Sequence, residues 1–184
     1  RGTRIHQLAE DYIVGSIKEM PKELRLFKEA FEKLREDWLD DKVHVEQDWA
    51  FDEEWAIAPW SGKNTWGRYK IDAFFKDEEY GKVIDFKTGK YWSNEIGYRD
   101  QCSLYACGVF SRFPDLQNVE TELWYLDHQK ISRFAFSKEE IQEVQDKFTF
   151  RAVAMTEDTE FIATPSENAC RCCPFKQVCP DYGR

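Results

Sequence analysis

Residues 83–90 read VIDFKTGK, and residues 67–76, just upstream, read GRYKIDAFFK. Val83, Ile84 and Phe86 favour an extended chain. Side chains alternate along a strand, so Asp85 and Lys87 project from one face while Ile84 and Phe86 project from the other. The acidic turn DEEY at 77–80 joins strands at 67–76 and 81–87. Hairpin pairing through that turn brings Asp72, at the end of GRYKID, towards Asp85. At roughly 4 Å and an effective dielectric near 20, two such carboxylates repel by about 4 kcal/mol. A divalent cation removes that cost, and hard oxygen ligands favour Mg²⁺ or Mn²⁺. A bound ion polarises a phosphoryl oxygen, and Lys87 on the same face can hold a water or offset charge on a phosphate. Spacing alone suits a cross-strand ion pair on a solvated surface equally well.

Outward from this hairpin, apolar residues at three- and four-residue spacing predict a helix over 3–19 (Ile5, Leu8, Ala9, Tyr12, Ile13). Pro21 interrupts it, and a second helix follows over 22–40. The period then drops to two. Strands are expected at 43–51 and 54–58, with Val43, Val45, Gln47 and Trp49 on one face. Residues 59–66 have loop composition. A helix fits 95–112, a hairpin fits 119–127 and 130–136, and Ser137 with Glu140 forms a capping box opening a helix that runs to about Met155. The expected fold class is α/β: helices around a mainly antiparallel, mixed sheet, in one domain with a Cys-rich tail at 164–184.

The chain has 184 residues, 42% of them hydrophobic, which suits one packed domain and excludes a disordered chain. No apolar run reaches membrane-spanning length, and no signal peptide opens the chain. The first residue is Arg1 rather than Met, so the natural chain is expected to begin upstream. A net charge of −9 argues against a nucleic-acid binder when taken whole. Yet residues 59–113 carry nine basic and seven acidic residues, between two acidic flanks. That stretch interleaves Lys63, Arg68, Lys70, Lys82, Lys90 and Arg99 with Trp60, Trp66, Tyr91, Trp92 and Tyr98. Cations that track phosphates and rings that stack bases suit a single strand, although most of these Trp also read as ordinary core.

Two further features join the acidic pair. His6 lies on the first helix, and Gln101 and Tyr105 stand four apart on one helix face. The ordered set of G-x-x-x-H (Gly2 to His6), GRYKID ending at Asp72, D-F-K-T-G (Asp85 to Gly89), Q-x-x-x-Y (Gln101 to Tyr105) and the terminal C-x-x-C-P-F-x-x-x-C (Cys170, Cys173, Cys179) resembles the RecB-type branch of the PD-(D/E)XK nucleases. CRISPR-adaptation nucleases and AddB-type helicase-nucleases share this layout. The resemblance covers nearly the whole chain. It implies a restriction-endonuclease-like core with the site where the strands diverge. It makes His6, Asp72 and Asp85 metal ligands, the Phe86 carbonyl a fourth, and Lys87 the catalytic lysine. Gln101 and Tyr105 would contact the DNA strand. Glu46 occupies the place of an acidic residue that some relatives use near the metal. Trp92 and Arg99 are the further candidates for DNA contact.

Four of the six cysteines crowd the last fifteen residues, a pattern of metal ligands in a reducing compartment rather than of a secreted disulfide scaffold. In iron–sulfur relatives three such cysteines join one far upstream around a 4Fe–4S cluster. Cys170, Cys173 and Cys179 match those three, and the upstream partner is absent here. Cys172 departs from the spacing and is an alternative ligand. A tail-only zinc site is the competing reading. Cys102 and Cys107 read as core. The resulting expectation is a Mg²⁺- or Mn²⁺-dependent DNA nuclease, an exonuclease on ends or single strands, in a prokaryotic or phage-derived cytoplasm. Homo-oligomers and recombination or CRISPR proteins are the partners it implies. The alternatives are a non-catalytic DNA-binding module and a zinc-stapled interaction domain.

Overall fold

The computed structural model describes residues 1–91 and 95–182. β2 (Gly67–Lys76) and β3 (Tyr80–Lys87) form the expected antiparallel hairpin, in the register Ala73↔Ile84 to Lys76↔Gly81. β1 (Val43–Phe51) pairs antiparallel on the other side of β2. α3 (Glu95–Arg112) then crosses over, and β4 (Asn118–Tyr125) pairs with β3 in parallel along its whole length. A parallel neighbour requires such a crossover. β5 (Lys130–Ser137) closes the sheet as a hairpin with β4, giving five mixed strands in sequence order.

One face of the sheet carries α1 (Gly2–Ile13) and α2 (Lys28–Leu39). Ile5, Ala9, Ile13, Phe31 and Leu34 pack there on Val43, Ala73, Ile84, Phe86 and Trp124. The other face carries α3, with Cys102, Tyr105, Ala106 and Val109 against Trp49, Tyr69, Ile71, Phe74 and Leu123. Cys102 and Cys107 are both fully buried there, as expected, and burial pushes their thiols up to about 11 and about 12. α3 lies close over β2 because residue 108 is glycine: a Cβ at that position would stand 0.9 Å from the Tyr69 hydroxyl oxygen. This close packing seats Gln101 and Tyr105 over the sheet.

Several local expectations need correction. α1 stops at Ile13 rather than continuing to 19, because Gly15 takes a left-handed conformation (φ 82°) that terminates the helix. The second helix is a 3₁₀ turn over Lys22–Phe27 leading into α2. No strand forms at 54–58: Trp55 has φ 63°, and a single bridge, Phe51↔Ile57, remains. The capping box forms, with the Ser137 backbone N–H donating to the Glu140 carboxylate, ahead of α4 (Ile141–Glu157).

The most consequential correction is in β1. Val43 and Val45 belong to the α1/α2 core, whereas Trp49 and Phe51 belong to the α3 core, so they do not share one face. β2 changes sides likewise: Tyr69 and Ile71 pack towards α3 and Ala73 towards α1 and α2. The switch falls at Glu46 and Asp72, which stand opposite each other in the register but do not pair. Glu46 has φ 48°, a left-handed value that costs about 1–3 kcal/mol in a non-glycine residue.

Residues Arg1–Thr149 form one compact unit and Phe150–Arg184 a second. The tail is less irregular than its composition suggests: α5 (Glu167–Cys172) is capped by the Ser166 hydroxyl, which accepts from the Ala169 N–H.

Candidate active site

The β2–β3 ladder ends at Ala73↔Ile84. Beyond that pair β2 continues along β1 while β3 continues along β4, and the two strands separate. Asp72 and Asp85 are the first residues past the fork. The Asp72 carboxylate fills it: Oδ2 accepts from the Phe86 N–H at 2.5 Å, and Oδ1 lies 2.8 Å from His6 Nδ1 on α1. What Phe86 supplies directly is thus its N–H, while its ring lies edge-on to His6.

His6, Glu46 and Asp72 each offer a ligand atom, all within 4.8 Å of one another. Two carboxylates and an imidazole suit a hard or borderline divalent ion. The electrostatics agree with that fit. The hydrogen bond to Asp72, partly offset by burial, raises His6 above its ordinary range. Burial, and then the neighbouring carboxylates of Asp72 and Glu10, raise Glu46. Crowded negative charge of this kind is relieved by a cation.

Asp85 is not part of that trio. It is 8% exposed, and burial raises its carboxyl against the opposing pull of Lys87. Its Oδ1 accepts from the Tyr105 hydroxyl at 2.7 Å and from Gln101 Nε2 at 3.3 Å. Its Oδ2 lies 2.7 Å from Lys87 Nζ but receives no hydrogen bond of proper direction. Lys87 Nζ in turn donates to Gln101 Oε1 at 3.1 Å, and Gln101 Nε2 donates to the Tyr105 hydroxyl at 2.7 Å. The four side chains make a closed ring. Gln101 and Tyr105 therefore turn inward onto Asp85 and Lys87. Tyr105 is 6% exposed, and its hydroxyl is held on Asp85.

The remaining candidates fall elsewhere. Arg99 lies two residues from Gln101, about 200° around the helix, and sits over the Phe136 ring at 5.3 Å. Trp92 lies outside the described residues. Cys170, Cys173 and Cys179 line one cavity of about 220 Å³ in the second unit, together with Asp181. Cys172 is exposed and does not line it. Zinc–sulfur bonds of about 2.3 Å place tetrahedral thiolates nearly 4 Å apart. No trio among the described tail cysteines gathers within 4.8 Å.

Sequence reasoning missed Asp127. It accepts from the Gly89 N–H at 2.6 Å and pairs with Arg1, anchoring the loop that follows Lys87. The parallel register Lys87↔Tyr125 explains the meeting, and nothing in local spacing announces it.

An acid pair at a strand fork, with a lysine two residues on, is the signature of one nuclease class. The model of the PD-(D/E)XK nuclease superfamily matches residues 1–180, and the chain belongs to that superfamily. Among solved structures, SSO0001 is similar at 14% identity and a TM-score of 0.43, over 96% of each chain. A candidate exonuclease from Eubacterium rectale is similar at 11% identity and a TM-score of 0.39, over 94% of this chain and 78% of the other. No curated protein matches the chain in sequence. No helix among the described residues is long and apolar enough to cross a membrane.

Proposed function

We propose that the chain is a divalent-metal-dependent deoxyribonuclease that hydrolyses phosphodiester bonds, as an exonuclease acting on DNA ends or single strands. The observation that carries this reading is the juxtaposition at the fork: a His6–Glu46–Asp72 trio beside an Asp85–Lys87 pair. The trio would hold Mg²⁺ or Mn²⁺, with Asp85 close enough for its charge and that of Asp72 to interact. Such an ion, when bound, polarises the scissile phosphate and acidifies water. Lys87 positions the attacking water or offsets the phosphate charge. Gln101 and Tyr105 fix Asp85 and Lys87 relative to each other, which is the positioning that phosphoryl chemistry rewards. The Tyr105 phenol, raised by burial and then by Asp85, stays protonated and remains a donor.

The exonuclease mode and the RecB-type branch rest on the ordered motifs. A 4Fe–4S cluster in the tail belongs to the same reading. What stands behind it, besides the motif, is that Cys170, Cys173 and Cys179 line one cavity. Iron and acid-labile sulfide measured on protein purified without oxygen test that part. Digestion of end-labelled linear and circular DNA with Mg²⁺ or Mn²⁺ tests the activity. Degradation of linear strands alone is expected; cutting of circles overturns the exonuclease mode, and intact DNA in every arm overturns the nuclease reading.

A further inference from the structure

The outer face of β2 is open beyond the site. Arg68, Lys70 and Asp72 alternate along the strand, and Arg68 and Lys70 are exposed. Trp60, in the loop between β1 and β2, is 37% exposed. The Arg68 guanidinium lies 5.8 Å from the Trp60 ring centre and Lys70 Nζ lies 5.7 Å from it. Arg68 Nε also donates to the Trp60 carbonyl, which fixes the loop over the strand. Lys70 reaches back to the metal trio electrostatically, since its charge opposes the rise at Glu46.

We infer that Trp60, Arg68 and Lys70 form a track for single-stranded DNA leading away from the fork. The inference rests on the nuclease reading and deepens it by giving the strand a path. From Asp72 to Arg68 is about 13 Å along β2, or about four stacked nucleotides at 3.4 Å each. Lys70 and Arg68 would take phosphates about two nucleotides apart while the indole stacks a base, the combination that holds a strand without reading its sequence. Charge complementarity favours this occupant: the face lies in the one net-positive stretch of an acidic chain. Lys70 pairs with Asp48 at 2.8 Å, but both groups are exposed, and so weak a pair exchanges readily for a phosphate.

The test is anisotropy of labelled oligothymidylate with the full chain in Ca²⁺, using strands of about three and about fifteen nucleotides. Trp60→Ala and Lys70→Gln are expected to weaken the longer strand about tenfold each and leave the shorter one unchanged. Trp60→Phe should restore stacking. The Arg68→Gln/Lys70→Gln pair should lower the slope of log affinity against log salt by about 1.4. Variants that bind the longer strand as the parent does overturn the track. If that parent still degrades DNA in Mn²⁺, the nuclease reading survives; a parent that neither binds nor cuts overturns both.

Discussion

Tyr105→Phe isolates what the ring around Asp85 contributes. The substitution keeps the aromatic packing and removes one oxygen, which donates to Asp85 Oδ1 at 2.7 Å and accepts from Gln101 at 2.7 Å. A hydrogen bond to a charged group is worth about 1.5–3 kcal/mol, and the carboxylate left behind is buried. The expected loss is about 2 kcal/mol where Asp85 is ionised, or about 6 °C in Tm for a chain of this size. The pH dependence has a definite sign. Burial already raises the folded carboxyl of Asp85 above its value of 3.8, so ionised Asp85 costs stability, and that cost grows as pH rises from about 4 through the folded value. Tyr105 stabilises the ionised form, and its removal raises the carboxyl further. The penalty should therefore be full above the folded values and shrink to about 1 kcal/mol, that of a neutral hydrogen bond, once Asp85 is protonated in both states. Urea unfolding of metal-free parent and variant across that range measures it. A variant as stable as its parent at every pH, or a penalty that is flat or grows in acid, refutes the reasoning.

Asp72→Asn and Lys87→Met should both reduce cleavage to background with an unchanged circular dichroism spectrum. Thermal shift with Mn²⁺ separates their roles: the parent gains about 2.7 kcal/mol at a hundredfold excess over Kd, Lys87→Met keeps the gain and Asp72→Asn loses it. At Glu46, glycine removes the left-handed strain that alanine retains. Glu46→Gly should unfold about 1 kcal/mol later than Glu46→Ala, while calorimetry finds Mn²⁺ binding weakened in both. The Asp127 carboxyl is held below its ordinary range by Arg1 and then by the Gly89 N–H. Its stabilisation is present above about pH 4 and is lost as pH falls through the lower folded value. Asp127→Ala should accordingly melt earlier than the parent at neutral pH, with the gap closing in acid.

The hairpin and its acids were legible because a period of two and a short acidic turn are local signals. Alternation alone placed Asp85 and Lys87 on one face, and the 2.7 Å between their ends agrees. The parallel β3–β4 pairing was not legible. Alternation says which residues share a face, not which strand lies beside which. That pairing brings Asp127 to the loop after Lys87, which is why Asp127 was missed. Gln101 and Tyr105 were legible as a face of α3, but the direction of that face depends on how closely Gly108 lets the helix approach Tyr69. Arg99, two residues from Gln101, was legible as lying on a different side of that helix.

The face switch at Glu46 and Asp72 explains how one short strand serves two cores and a site at once. Val43, Val45, Trp49 and Phe51 keep one period of two across the switch, and the polar Gln47 between them is the single local sign of the change of side. The cost is a left-handed glutamate. What it brings is position: where both strands rotate, a pair that would otherwise face a packed core instead turns into the opening beside His6. A glycine would adopt that backbone without strain, yet it would carry no carboxylate. A strained residue held where an ionisable side chain is needed is a mark of selection for chemistry over stability. On that argument Glu46, the least secure candidate in the sequence, becomes as strong a candidate for holding a cation as His6.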